Sequence, residues 1–136
     1  MLASIFATTR EERFAEVFRR YLPGETTTGE NHFSPTNMTT LLSTLYQRRN
    51  EIPGYEKIIE LMSERSFHYR LHTENTRNYL AGTIGSNDPY FHDVGIFFRP
   101  NQPYILSVMT YQVPSATSYI SDVSDLVWQA KTFFND

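Results

Sequence analysis

The sequence predicts an α+β domain: a helical segment, an antiparallel sheet of at least three strands, and a C-terminal helix packed on that sheet. Three observations predict it. Apolar residues recur at helical spacing through the first half of the chain. After about residue 77, three short apolar runs are separated by turn residues. From residue 115 the helical period returns.

Residues 9–21 read as the first helix, with Thr9 and Glu12 in the arrangement of a capping box and Phe14, Val17, Phe18 and Tyr21 on one side. Leu22-Pro23-Gly24 stops it, and residues 24–33 form a polar loop. Ser34-Pro35 opens a second helix, serine as N-cap and proline at the first helical position, with Met38, Leu41, Leu42, Leu45 and Tyr46 as its buried stripe. Pro53-Gly54 breaks the chain, and a third helix carries Tyr55, Ile58, Ile59 and Met62 on one face. The runs 78–86, 90–99 and 103–112 then read as a three-stranded meander, joined by Asn87-Asp88-Pro89 and Pro100-Asn101-Gln102-Pro103. Gly82 and Gly85 stand inside the first strand, where glycine marks a bulge or the close approach of a ligand. Residues 115–134 read as an amphipathic helix, with Ile120, Val123, Leu126, Val127, Ala130 and Phe134 along one side.

The 136 residues suffice for one domain, with 1–77 its helical part and 78–136 the sheet and last helix. Such a chain buries roughly two thirds of the surface its unfolded form exposes. The formal charge of -3 and pI of about 5.8 argue against a general nucleic-acid binder, which needs a basic face. The lysines are Lys57 and Lys131 only. The absence of cysteine excludes disulfides and thiolate metal sites. No run of about 18 apolar residues exists to span a membrane. The apolar start at Met1 has no basic residue before it and is too short for a signal peptide.

The residues from Ala81-Gly82-Thr83-Ile84-Gly85-Ser86 to His92-Asp93-Val94-Gly95-Ile96 resemble class A β-lactamases and related penicillin-binding serine hydrolases. In that family a strand carries Lys-Thr-Gly, and a His-Asp-Val-Gly-Ile-like stretch opens the next strand nine residues after the lysine. Thr83 and His92 are nine residues apart, so Thr83-Ile84-Gly85 sits where Lys-Thr-Gly would. Residues 103–110 are similar to the family's last strand, 120–128 to its closing helix, and 31–46 to its helix after the omega loop; the resemblance covers roughly residues 30–134.

The resemblance implies a partial β-lactamase/transpeptidase-like fold and a chemistry. A serine in Ser-x-x-Lys attacks a β-lactam or peptide carbonyl, with the neighbouring lysine, or a glutamate acting through water, as base. The lysine of Lys-Thr-Gly holds the substrate carboxylate, and a backbone N–H of the same strand completes the oxyanion hole. Carried onto this sequence, Thr83, Ile84 and Gly85 form the substrate edge, and Ser86 offers the backbone oxyanion donor. Glu16, in Arg13-x-x-Glu16, is the candidate for the omega-loop glutamate, although the family spacing there is closer. No cofactor or metal is implied.

The departures are as informative. Ser-x-x-Lys is absent: Gly54 and Trp128 stand three residues before the two lysines. Ser-Asp-Asn is absent too, and both motifs would lie upstream of Met1 in the family order. Thr83 carries no charge, so the carboxylate anchor is lost. The expectation is a chain that is inactive alone, either as the C-terminal portion of a larger hydrolase or as a member that has lost catalysis. The alternative function is a non-catalytic cell-wall or protein-binding module; a third reading is an unrelated α+β domain. The family's setting is extracellular or in the cell envelope, and its ligands are β-lactams or peptidoglycan peptides. In the family the last strand pairs with an N-terminal strand, so the strand near 105–110 is expected to be covered by a missing N-terminal half, another copy of the chain, or residues 2–7.

Two further constellations have competing readings, and three others have a structural one. His68 and His72 are four apart, which suits either two metal ligands on a helix face or two surface histidines. His92-Asp93 is an acid–base pair or a structural strand start. Asp122 and Asp125 read as a solvated face, the rings of Phe91, Phe97, Phe98, Tyr104 and Tyr111 as core packing, and Arg99-Pro100-Asn101 as a hairpin loop.

Overall fold

Ser34-Pro35 starts a helix by capping. Ser34 is extended, its Oγ accepts the Asn37 N–H at 3.0 Å, and Asn37 Oδ1 accepts the Ser34 N–H at 2.9 Å. Two N–H groups with no helical partner are thereby satisfied, and Pro35 has none to lose. In the computed structural model, which describes residues 33–65 and 68–133 together with Arg20, this is helix α1, Pro35–Gln47. The expected helix over 9–21 (Arg20, which is helical, excepted), the loop over 24–32, Phe134 and Glu16 lie outside the described residues. Gly54, at φ 93°, takes the left-handed turn that admits glycine and begins α2, Tyr55–Ser63.

The three expected strands are present as β1 (Leu80–Asn87), β2 (Tyr90–Phe97) and β3 (Tyr104–Tyr111), antiparallel and in chain order across the sheet. Thr83 stands opposite Val94, and Gly85 opposite His92. One step beyond the ladder, the Phe98 N–H donates to the Tyr79 carbonyl at 2.7 Å. Hydrogen-bonded pairs alternate in an antiparallel ladder. Ala81, Thr83 and Gly85 therefore direct their backbone groups into the sheet, while Ile84 and Ser86 direct theirs out of the free edge of β1. The Gln112 N–H to Pro89 carbonyl bond fixes β3 likewise, so Ile105, Ser107 and Met109 face outward at the other edge. No further strand joins that edge among the described residues.

The last described element is α3, Ala116–Phe133. Two apolar clusters lie on opposite faces of the sheet. Ala81, Val94 and Ile96 pack with Leu42 of α1 and Ile59 of α2, joined by Met38, Leu45, Tyr46 and Met62. Leu80 and Phe97 pack with Leu71 and with Ile120 of α3, joined by Tyr104, Leu106 and Val108. The period-2 alternation of each strand divides the residues between these faces.

Three stripe assignments need correction. Ile58 is 46% exposed, because α2 turns Ile59 and Met62 to the sheet. Leu126 is 65% exposed and Ala130 is exposed, because α3 docks through Ala116, Ile120 and Ser124 instead. Serine 124 is a contact that an apolar pattern cannot reveal: its Oγ donates to the Leu71 carbonyl at 2.8 Å.

Candidate functional site

Helix α1 covers only part of its sheet face. Beyond Met38 the floor formed by Val94, His92, Tyr90 and Met109 with Thr83 and Gly85 is open, and a cavity of about 510 Å³ lies there. Phe33 and Met38 form its wall, and Ile84, Ser86 and Asn87 its rim. The four residues singled out in β1 (Thr83, Ile84, Gly85 and Ser86) all line this cavity, although nothing in their side chains alone marked it. By strand parity the side chains of Thr83 and the open position at Gly85 face the floor. Ile84 and Ser86 face the other way and present backbone N–H and C=O groups at the edge. A second cavity of about 330 Å³, between α1 and β3, contains none of the predicted site residues.

The two glycines of β1 serve different ends. A Cβ at Gly82 would meet Arg65 Nη1 at 2.6 Å and the Val94 carbonyl at 3.0 Å. At Gly85 it would meet only His92 Cδ2, at 3.9 Å. Gly82 thus makes room for a buried guanidinium, whereas Gly85 leaves the cavity floor open.

That guanidinium belongs to a buried ion pair. Arg65 Nη2 lies 3.0 Å from Asp93 Oδ2, with both side chains almost wholly buried, and Arg65 Nη1 lies 3.3 Å from Oδ1. The Leu71 N–H adds a third bond to Asp93, at 2.9 Å. Burial pushes the Asp93 carboxyl above its ordinary value, and Arg65, the Leu71 N–H and Arg70 oppose that shift. His92 and Asp93 occupy opposite faces, so they are not an acid–base pair; Asp93 is structural.

Arg70 is buried beneath the end of the β1–β2 hairpin. Its Nη1 donates to the carbonyls of His92 at 2.8 Å and Gly85 at 3.2 Å, its Nη2 to Ser86 Oγ at 2.7 Å, and its Nε to Thr117 Oγ1 at 3.4 Å. The peptide unit joining Gly85 to Ser86 is held from its carbonyl side by a cation, with its N–H pointing out of the sheet edge. Sequence reading missed Arg70, because a lone arginine in an irregular segment carries no periodic signal.

His68 and His72 lie in that segment rather than on a helix. Their Nδ1 and Nε2 atoms are 3.2 Å apart, and no group of three or more metal-ligating side chains occurs among the described residues. Burial and His68 hold His72 below its ordinary value. Asp125 is not simply solvated: it accepts from Thr73 Oγ1 at 2.7 Å and Asn75 Nδ2 at 3.0 Å. Arg99 does more than turn a hairpin, since its Nη1 donates to the Trp128 carbonyl at 2.6 Å and its guanidinium covers the indole at 4.5 Å. Phe97 and Tyr104 stack in the core, but Tyr111 is 57% exposed and stacks on Tyr90 at the cavity's outer end.

Comparison with known proteins is consistent with this geometry. The family model described as the Beta-lactamase enzyme family matches residues 5–131. Among solved structures the chain is similar to PBP-A, with a TM-score of 0.74 and 20% identity, covering 91% of this chain and 52% of that one. It is equally similar to a PBP-A mutant in an acyl-enzyme complex with penicillin G, with a TM-score of 0.73, 19% identity and the same coverage. The chain therefore spans about half the length of these neighbours, and at such identity they establish the fold alone. No curated protein matches it in sequence. The family match extends over nearly the whole chain, from before α1 to the last turns of α3: the chain belongs to the beta-lactamase enzyme family, as a partial β-lactamase-like α+β domain.

Proposed function

We propose that this chain is the C-terminal portion of a β-lactamase-like serine hydrolase that acts on β-lactams or peptidoglycan peptides, and that it is catalytically incomplete alone. The observation that carries the reading is the edge of β1: a backbone N–H at Ser86, directed outward, on the rim of a roughly 510 Å³ cavity. An acyl group whose carbonyl oxygen meets that N–H gains charge stabilisation as the tetrahedral intermediate forms. Thr83, Ile84 and Gly85 border the acyl group, and Arg70, by holding the Gly85 carbonyl, keeps the donor pointing outward. Glu16 is the candidate base.

The 136 residues contain no Ser-x-x-Lys. On this reading the nucleophile comes from an N-terminal half, and that half or another copy of the chain pairs along the outward-facing edge of β3 within the cell envelope. The test is direct: the chain alone is expected to leave a chromogenic cephalosporin unhydrolysed and to form no adduct with labelled penicillin. Turnover or an adduct refutes the incompleteness.

A second reading, a non-catalytic module that docks a peptide or protein, is favoured by the uncharged Thr83 and Ile84 at the Lys-Thr positions. Titration with muropeptides, read by tyrosine fluorescence from the floor residue Tyr90, discriminates; the absence of a saturable change counts against it.

A further inference from the structure

His92 sits on the cavity floor with its ring laid across two strands. Its Nδ1 accepts the backbone N–H of Thr110, on β3, at 3.2 Å. A ring nitrogen that accepts carries no proton, so the neutral imidazole carries its proton on Nε2. The other side of the ring reaches toward β1, where Cδ2, the carbon bonded to Nε2, is the heavy atom nearest the open position at Gly85. Burial, the largest influence, pushes the imidazole below its ordinary value; the Phe91 carbonyl opposes this and Arg70 adds to it. The neutral ring is thus the resident form near pH 7, with its N–H available to the cavity.

The surroundings define what such a donor takes. Met38, Val94 and Met109 are its apolar neighbours in the cavity lining. A fixed polar group in an apolar lining selects a ligand that places one acceptor there and apolar surface around it. We propose that His92 contacts the ligand of this cavity, its Nε2–H donating to the carbonyl oxygen of an amide or ester whose apolar substituent rests against Met38, Val94 and Met109. This assignment rests on the cavity being the substrate edge proposed above. It deepens that reading in one respect: a neutral N–H orients a carbonyl without requiring the ligand to carry a negative charge.

The test uses the full chain labelled with ¹⁵N-histidine. Long-range ¹H–¹⁵N correlation, with His92→Gln for assignment, is expected to show His92 as the Nε2–H tautomer. N-acetyl-leucine amide is then titrated and followed by the same spectra and by amide shifts. Saturable binding is expected, weakened about tenfold in His92→Ala, a loss of roughly 1.4 kcal/mol. His92→Gln, which keeps a neutral donor, should retain most of the affinity, and N-acetyl-leucine, an anion, should bind no more tightly than the amide. An Nδ1–H tautomer, unchanged affinity in His92→Ala, or a strong preference for the anion overturns the role of His92 and leaves the substrate-edge reading standing. Failure of the wild-type chain to bind either the amide or penicillin overturns both.

Discussion

The two faces of the sheet are built by different physics. Between the sheet and α3 lie Arg70, Leu71 and Thr76 of an irregular segment, and their buried polar groups find partners. Asp93 takes the Leu71 N–H, Ser124 and Thr76 donate to the Leu71 carbonyl, and Ser121 donates to the Arg70 carbonyl. A buried irregular backbone demands such partners. The other face is apolar under α1 and α2 and then stops short, leaving the outer half of the same strands open. Whether a polar residue is structural or available to a ligand is decided here by strand parity: Asp93 is sealed in, while its neighbour His92 opens on a cavity.

The largest effect should come from breaking the sealed face. Asp93→Ala leaves the buried Arg65 charge uncompensated, and a loss of about 3–5 kcal/mol is expected in urea unfolding. Next in size is Ile120→Ala, which empties a fully buried site on α3 and should cost about 2–5 kcal/mol. Leu126→Ser, one of the residues expected from periodicity to face the core, should change stability by no more than about 0.5 kcal/mol. Equal losses at 120 and 126 would mean that α3 docks by the other stripe.

That pair of variants also shows where the sequence was legible. The meander, its turns and the start of α1 could be read because each rests on local chemistry: alternation, Asn-Asp-Pro and Pro-Asn-Gln-Pro turns, and a Ser-Pro cap. The candidate edge was proposed from the spacing of Thr83 and His92 within a family pattern, and these residues line one cavity. Arg65, Arg70 and Leu71 were not, since an irregular buried segment has no period and the partners that hold it to the sheet and α3 lie 15 to 53 residues away in the chain. The same blindness assigned Leu126 to the core in place of Ser124, because hydropathy cannot anticipate a hydroxyl that docks by donating to a carbonyl.

The two glycines of β1 sharpen the comparison within one strand. Gly82→Ala forces a methyl group against the Arg65 guanidinium and the Val94 backbone, an overpacking expected to cost about 1–3 kcal/mol. Gly85→Ala meets nothing closer than ordinary contact with His92. Its stability should change by less than about 0.5–1 kcal/mol, in the favourable direction that loss of glycine's freedom gives. Because the added methyl stands on the cavity floor, Gly85→Ala should weaken binding of the acyl amide while Gly82→Ala, corrected for unfolding, should not. Thermal melts and the NMR titration read the two quantities separately.

The smallest expected effect is a dependence on pH that both faces share for different reasons. His72, within the irregular segment, is held below its ordinary value of 6.5 by burial, by His68 and by Arg65; His92, on the open face, is held below it chiefly by burial. A histidine whose folded value is lowered binds fewer protons in the native state than in the unfolded one. Its contribution is complete above about pH 6.5 and is lost as the pH falls through the lowered value. Urea midpoints should therefore decline from pH 7 toward pH 5, and His72→Gln and His92→Gln should each flatten part of that decline. Asp93, pushed upward, acts in the opposite sense, but it is common to all three proteins and cancels in the differences. Saturating acyl amide separates the faces further. A ligand that accepts from neutral His92 should deepen the acid-side loss in wild type and in His72→Gln, but less in His92→Gln. An equal response in all three would place the titrating contact somewhere other than the cavity floor.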